Sequence, residues 1–222
     1  MLLPLIPSVH PSAQRAEGTL GLRQEPCIKA LARDRHVCRF CALPAGSWQD
    51  VFTINDDHAD TSGDNLAAAC PLCHGVQHIA DAHADEQMRV IWLPEISQNL
   101  LNVVVRGIHE ILHGEGLPCT LAKRPIFNTA AVSAAWRAYL ALDRRASTAR
   151  SVIDSDRPRD LAAALSALTP DQYGRRASLI GGLRLLHRGR HFQDGRDVYA
   201  EQLDAWFAKL AAGAPQLPNA KE

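Results

Sequence analysis

Two pairs of cysteines constrain the fold of this chain more than any other feature of its sequence. Each pair has the spacing Cys-x-x-Cys, and 28 residues separate Cys38 and Cys41 from Cys70 and Cys73. Two intervening residues form a tight turn that directs both sulfur atoms of a pair towards one metal, so two pairs complete a tetrahedral shell of four thiolates. Such a shell leaves no position for water. The spacing therefore predicts one structural Zn²⁺ held by these four cysteines, and not a catalytic metal.

The other two of the six cysteines, Cys27 and Cys119, are isolated in the sequence, which is typical of buried thiols. A redox-active dithiol is the alternative for a single Cys-x-x-Cys pair, but two such pairs in one region favour metal binding. The start of the chain lacks the basic n-region of a signal peptide, and no run approaches the roughly 20 apolar residues of a membrane span. We therefore expect a cytoplasmic protein that does not insert into the membrane.

The hydrophobic pattern predicts an α+β fold with a mainly α-helical C-terminal region. A short helix is expected from Glu25 into the first cysteine pair, then a small hairpin over 36–54 and a strand over 88–93. Apolar residues recur at helical spacing between Ile96 and Leu112. Further helices are expected to open within 65–84 and to lie near 129–146, 159–168, 171–186 and 198–211.

These changes of pattern divide the chain into three parts: a flexible N-terminal tail over 1–24, a zinc-binding core over 25–95 and a helical region over 96–222. The formal net charge of the chain is zero, but residues 1–95 carry seven Lys and Arg against twelve Asp and Glu. The helical region is therefore the cationic part. A chain without an overall basic excess is not typical of general nucleic-acid-binding proteins.

The stretches KALARDRHVCRFCAL and DDHADTSGDNLAAACPLCHGVQH surround the two cysteine pairs. They resemble the ββα-metal core of HNH endonucleases, in which a knuckle, a hairpin and a helix form a treble clef around zinc. The resemblance implies His58 as general base and Asn65 as the residue that orients it. Asp57 with His78 or His74 would then hold a second, divalent metal.

Three features of the sequence argue against nuclease activity. Only six residues separate His58 from Asn65, whereas HNH loops that position these two groups are usually longer. Residues 46–86 contain eight acidic residues and no Lys or Arg, so a DNA phosphate would meet repulsion there. The loop around His58 is crowded with Asp residues, as in a solvated turn. Ordinary surface or packing histidines are the alternative for His58, His74 and His78.

The stretch MRVIWLPEISQNLLNVVVRGIHEIL over 88–112, together with DVFTIN and NLAAACPLC before it, resembles the IcmJ/DotN family of type IVB (Dot/Icm) secretion systems. LTPDQYGRRASLIGGLRLL extends the resemblance more loosely towards the C-terminus. It implies an HNH-like zinc core without nuclease activity. It further implies a non-enzymatic subunit of the coupling complex, which binds an extended C-terminal segment of the coupling ATPase, supports effector export and lies at the inner membrane through its partners.

A partner segment could bind in a groove between helices, held by apolar anchors. Six aromatic residues of the helical region look exposed in the sequence and are candidates for such anchors, with a place in the core as the alternative for each: Trp136, Tyr139, Tyr173, Phe192, Tyr199 and Trp206. Two other functions remain open at this point. One is an active HNH endonuclease that uses Asp57, His58, Asn65 and His78, and the other is a zinc-ribbon-like DNA-binding regulator.

Overall fold

The computed structural model describes residues 2–9, 25–55, 57, 59–120, 126 and 129–213, with the backbone alone for 209–213. Over these residues the chain combines helices with three two-stranded antiparallel sheets, and the α+β class expected from the sequence is confirmed. None of the helices in these ranges is both long enough and apolar enough to cross a membrane.

The described helices are α1 (Glu25–Arg33), α2 (Pro71–Gly75), α3 (Ala84–Gln87), α4 (Gln98–Gly114), α5 (Ala130–Arg144), α6 (Ala146–Ile153), α7 (Pro158–Ser166), α8 (Pro170–Gly174), α9 (Arg176–Leu179) and α10 (Tyr199–Gly213). A 3-10 turn covers Gly46–Trp48. The strands are β1 (Asp50–Thr53), β2 (Leu66–Ala69), β3 (Met88–Trp92), β4 (Leu183–His187), β5 (Phe192–Gln193) and β6 (Arg196–Asp197). Each strand pairs with one other, in the orders β1–β2, β3–β4 and β5–β6.

The hairpin expected over 36–54 is not formed there. Strand β1 pairs instead with β2, in the register Asp50↔Ala69 to Thr53↔Leu66, on the far side of the loop over 54–65. All four residues of β2 are buried, so the strand shows no alternation of polar and apolar residues. Its alanine-rich sequence favours a helix by intrinsic propensity, and the pairing with β1 overrides that preference.

The helix expected over 171–186 ends early. Helices α8 and α9 cover only its first part, and Leu183–His187 forms strand β4, which pairs with β3 in the register Met88↔His187 to Trp92↔Leu183. A Cβ atom on Gly182 would lie 2.4 Å from the Trp92 ring, so glycine allows this close approach. The β3–β4 sheet joins the proposed core to the proposed helical region, and the boundary between them at residue 95 stays a prediction.

The first residues differ from the flexible tail that the sequence predicts over 1–24. Residues 2–9 lie against the core, and three of their backbone N–H groups donate to Arg39 O at 2.9 Å, Asn99 Oδ1 at 3.0 Å and Val76 O at 3.1 Å. This segment, here called the N-terminal strap, is apolar and proline-rich. It gains stability by burying apolar surface, and its prolines have no N–H to leave without a partner. Residues 10–24 lie outside the described residues.

Most of the aromatic side chains that look exposed in the sequence are in fact buried. Trp136, Tyr139, Tyr199 and Trp206 are between 1% and 7% exposed, so the core interpretation holds for these four. Tyr173 and Phe192 are half-buried. These four side chains therefore do not form an exposed groove surface in this structure.

Helix α4 packs against α5, β4 and the short helix α2. It begins as the sequence predicts, because the hydroxyl of Ser97 accepts the backbone N–H of Leu100. Its buried face is not purely apolar, since it includes Gln98, Asn102 and His109. Of these three, Asn102 lies next to the metal-site cysteines, with Nδ2 3.4 Å from Cys73 Sγ.

Candidate metal centre

The structure brings the four cysteines of the two pairs together. The sulfur atoms of Cys38, Cys41, Cys70 and Cys73 all lie within 4.8 Å of one another, and each side chain is at most 6% exposed. Elsewhere in the described ranges, no other group of three or more metal-ligating side chains comes together in this way. The isolated thiols of Cys27 and Cys119 are buried elsewhere.

The first pair lies in a tight turn that follows α1. Ala42 donates its N–H to the carbonyl of Cys38 at 2.9 Å and adopts a left-handed backbone conformation, with φ at 61°. Cys38 in turn donates its N–H to Leu43 O at 2.9 Å. These bonds fold the chain back on itself between the two cysteines, so that both sulfur atoms face the same side.

The second pair lies at the start of α2, where Cys70 is the N-cap and Pro71 occupies the first turn. Asp34 connects this region to the first pair, since its carboxylate accepts the N–H of Ala68 and an Arg39 N–H, each at 2.9 Å. Arg39 also donates its backbone N–H to Ala68 O at 2.8 Å. Strand β2 therefore carries the turn of the first pair on one side and leads directly into the second pair.

The donor set fits a metal ion. The sulfur atoms of Cys41 and Cys70 are 3.5 Å apart, far beyond the roughly 2.05 Å of a disulfide bond. Four thiolates at about 2.3 Å from a tetrahedral metal would have their sulfur atoms about 3.8 Å apart, close to the spacing observed here. The four cysteines can therefore hold one metal ion with a closed coordination shell.

Two side chains from α4 donate to this sulfur cluster. Asn102 Nδ2 lies 3.4 Å from Cys73 Sγ and also donates to Leu72 O at 3.3 Å. Arg106 Nη1 lies 3.9 Å from Cys41 Sγ. Four thiolates around a dication carry a net negative charge, and N–H donors of this kind offset that charge and orient the ligands.

The electrostatics of the cluster also favour a cation. Hydrogen bonds from Cys41, Cys70 and Cys73 hold the pKa of the Cys38 thiol well below its usual range. Burial raises the pKa of the Cys73 thiol well above its usual range, and a hydrogen bond shared with Cys38 does the same for Cys70. The cluster therefore holds one thiolate readily, and a bound metal cation supplies the positive charge that a fully deprotonated set requires.

The nuclease candidates from the loop over 54–65 have local roles. His58 lies outside the described residues. Asn65 Nδ2 donates to the carbonyls of Asp57 at 3.3 Å and Asp60 at 2.8 Å, and Asn65 Oδ1 accepts the N–H of Asn55 at 2.8 Å. Asp57 is exposed, and its carboxylate accepts a backbone N–H two residues further on. The carboxamide of Asn65 thus closes the loop.

The two histidines of α2 and the turn after it lie together in another place. His74 Nδ1 is 3.4 Å from Asp50 Oδ2, and the ring centroids of His74 and His78 are 4.5 Å apart. Both histidines line a cleft of about 490 Å³, whereas Asp57 and Asn65 do not. In the structure His74 lies next to His78, and Asn65 is hydrogen-bonded to Asp57. These two pairs lie in different places and do not form one site.

Sequence reasoning missed Asn102 and Arg106, the two donors to the sulfur atoms. The sequence does contain an indication of both residues, because they lie four residues apart on a predicted helix and therefore on the same face of it. Gln98, another four residues towards the N-terminus, continues the series as a buried polar residue. Polar residues at helical spacing within an apolar periodicity indicate polar groups that face the interior.

The chain has a distant relative among known proteins. No family model matches the chain. The chain is similar to the type 4 apparatus protein DotN of Legionella pneumophila, with 30% identity over 76 residues. These residues make up 33% of this chain and 36% of that protein, so the similarity covers about a third of the relative's length. It supports the IcmJ/DotN resemblance found from the sequence.

Proposed function

We propose that this protein is a non-enzymatic, zinc-binding subunit of the coupling complex of a type IVB secretion system. In this role it binds the C-terminal segment of the coupling ATPase and supports effector export from the cytoplasmic side of the inner membrane. The observation that carries the proposal is the similarity to the type 4 apparatus protein DotN. The partner itself is taken from the IcmJ/DotN resemblance.

Zinc is the metal that we propose for the four-cysteine cluster. Four buried thiols in a closed shell suit a metal that accepts tetrahedral sulfur coordination and undergoes no redox change. The Asn102 and Arg106 donors suit a thiolate-rich site with negative charge. Because the shell has no open position, the metal would act by holding the N-terminal half of the chain together. We propose that this half forms an HNH-like, treble-clef core.

A scaffold role without catalysis agrees with the hydrogen bonds of the nuclease candidates. The Asn65 carboxamide donates to two loop carbonyls and accepts a backbone N–H, so reorienting a catalytic base would require breaking these bonds. The acidic stretch over 46–86 disfavours a DNA phosphate. We therefore propose protein partners and no nucleic-acid partner.

The direct test is a pull-down of the purified, metal-loaded protein with the C-terminal segment of the coupling ATPase encoded in the same genome. Saturable association at micromolar or lower concentration is the expected result. A segment with the same composition in scrambled order serves as the control. Failure of the authentic segment to associate with folded, metal-loaded protein would overturn the proposal.

The competing function is an active HNH endonuclease, favoured by the proximity of His74 and His78 at the cleft. Incubation with supercoiled plasmid DNA and Mg²⁺ or Mn²⁺, beside a His58→Ala variant, tests it. We expect no nicking above background for either protein. Metal-dependent nicking that the His58→Ala substitution abolishes would replace the scaffold proposal with a nuclease.

A further inference from the structure

The cleft lined by His74 and His78 is separate from the metal centre. This cleft lies between the 3-10 turn over Gly46–Trp48, helix α2, the hairpin of β5 and β6, and α10. Its volume of about 490 Å³ falls within the range of ligand-binding clefts, about 300–1,000 Å³. None of the four cysteines lines it.

Two glutamines that line this cleft have buried carboxamides without hydrogen-bond partners among the described residues. Gln49 is 4% exposed and Gln202 is fully buried, and both line the cleft. For each of them, neither the amide nitrogen nor the amide oxygen has a partner among the described residues. Leaving a buried donor or acceptor without a partner costs free energy, and native proteins contain few such groups. Two complete carboxamides in this state at one cleft point to a polar ligand.

Gln98 provides the contrast within the same chain. It is 2% exposed, and its carboxamide is fully paired. Gln98 Nε2 donates to Asn102 Oδ1 at 2.8 Å and Leu185 O at 2.9 Å, while Gln98 Oε1 accepts the N–H of Leu185 at 2.8 Å. The carboxamide of Gln98 therefore finds partners within the fold, whereas the carboxamides of Gln49 and Gln202 do not.

The charge of the lining restricts the kind of ligand. No Lys or Arg is among the described residues that line the cleft, whereas Asp50, Asp81 and Asp194 contribute carboxylates. These carboxylates would repel phosphates and carboxylates and attract cationic groups, while neutral groups would meet no repulsion. Aromatic rings also line the cleft, where the ring of His83 stacks on that of Phe192 with centroids 4.4 Å apart.

We propose that this cleft binds an extended peptide segment of neutral or positive charge, whose main-chain amides pair with the carboxamides of Gln49 and Gln202. An extended backbone presents N–H and C=O groups in alternation, and each glutamine offers one donor group and one acceptor. The four amide atoms are shielded from solvent in the structure. Side-chain rotations at the cleft therefore accompany binding, as is common at interfaces.

The inference rests on the proposed function for the source of the segment, which is the C-terminal segment of the coupling ATPase. The probes are overlapping fluorescein-labelled peptides of about 12 residues from that segment, long enough to cross the cleft when extended. Binding is measured by fluorescence anisotropy to the wild type and to Gln49→Met and Gln202→Met. Methionine keeps the length of the side chain and removes the amide.

We expect each substitution to weaken binding of the recognised peptide by about tenfold, because one amide pairing is lost. Neither substitution should lower the melting temperature, because no hydrogen bond of the free protein is removed. Gln98→Met is the matched control: it should lower the melting temperature and leave the affinity of the folded protein unchanged. Lower melting temperatures with unchanged affinity for the two cleft variants would overturn the inference and indicate a purely structural role.

The two proposals can fail separately. If the whole segment binds wild type and both cleft variants equally, the cleft inference is wrong and the proposed function stands. If the whole segment does not bind, the proposed function fails, and random peptides displayed on phage are selected on wild type with counter-selection on the double variant. Selected neutral or basic peptides that need both glutamines would still support the cleft inference, and failure to obtain any would overturn it.

Discussion

Asn102 Nδ2 lies 3.4 Å from Cys73 Sγ, so helix α4 donates directly to the metal-ligand cluster. Removing this donor by Asn102→Ala should lower metal affinity about 10- to 100-fold, the usual effect of losing a hydrogen bond to a ligand. Asn102→Asp should have a larger effect, because a carboxylate would face the thiolates. Competition with a chromophoric zinc chelator measures both.

Ser97→Ala is the control for these variants, because it alters the cap of the same helix without touching a sulfur atom. It should cost about 1 kcal/mol of stability and leave the metal affinity unchanged. Equal metal affinities for Asn102→Asp and the wild type would show that the contact with Cys73 has no effect on the metal.

Substitution of a ligand should have a much larger effect than substitution of a neighbour. We expect Cys70→Ser to lose the bound metal and the cooperative unfolding transition, because structural zinc binding is coupled to folding by about 10 kcal/mol or more. Elemental analysis gives the metal content, and circular dichroism during heating follows unfolding. Removing the metal from the wild type with a strong chelator should reproduce the defect.

Cys27→Ala is the matched control, because Cys27 is equally buried but packs against Val51 and Leu66 away from the cluster. It should retain one metal ion per chain and lose only the packing of one sulfur atom. Full metal content and an unchanged melting temperature in Cys70→Ser would show that the four-cysteine cluster is not the metal site.

The parts of this fold that could be predicted from the sequence depend on local chemistry. The Cys-x-x-Cys spacing fixes how two sulfur atoms meet, whatever the rest of the chain does. Helix α4 was predicted between Ile96 and Leu112 because its apolar residues follow the helical period and Ser97 caps it. In both cases the information lies within a few residues of the element itself.

The parts that could not be predicted depend on partners distant in the sequence. Leu66–Ala69 is a strand because β1 offers a pairing edge, and its alanines carry no strand signal of their own. Leu183–His187 pairs with β3, which lies far away along the chain. Gln202 is a site candidate only because the fold buries its carboxamide without a partner, and its sequence context does not reveal this.

The start of the N-terminal strap should loosen when the side chain of Asn99 is removed. Asn99 Oδ1 accepts the N–H of Leu5 at 3.0 Å, while Asn99 Nδ2 donates to the carbonyls of Leu3 at 2.6 Å and Phe40 at 2.9 Å. Asn99→Ala leaves all three backbone groups without this partner. We expect faster hydrogen exchange at Leu3 and Leu5, measured by mass spectrometry, and a loss of about 1–3 kcal/mol in stability.

Ser97→Ala again separates the local effect from a general one. It should destabilise α4 by about 1 kcal/mol without accelerating exchange in the strap. If both variants accelerate exchange in residues 2–9 equally, the side chain of Asn99 does not hold the strap in place.

Two buried histidines should make the protein less stable in mild acid. Burial lowers the pKa of His109 to about 3 and that of His187 to about 4, whereas both groups have a pKa near 6.5 in the unfolded chain. Between these values the unfolded state binds more protons, so the free energy of unfolding falls as the pH decreases. Stability should be fully present above about pH 6.5 and should decline progressively towards pH 4.

The loss at about pH 5 should be about 2 kcal/mol for each histidine, measured by urea unfolding. His109→Gln removes one of the two groups, so the fall in stability between pH 7 and pH 5 should be smaller by about that amount. Protonation of the metal-binding cysteines contributes to both proteins and cancels in the comparison, provided that the metal content is measured at each pH. Equal pH dependence in the two proteins would mean that His109 is not held neutral in the folded state.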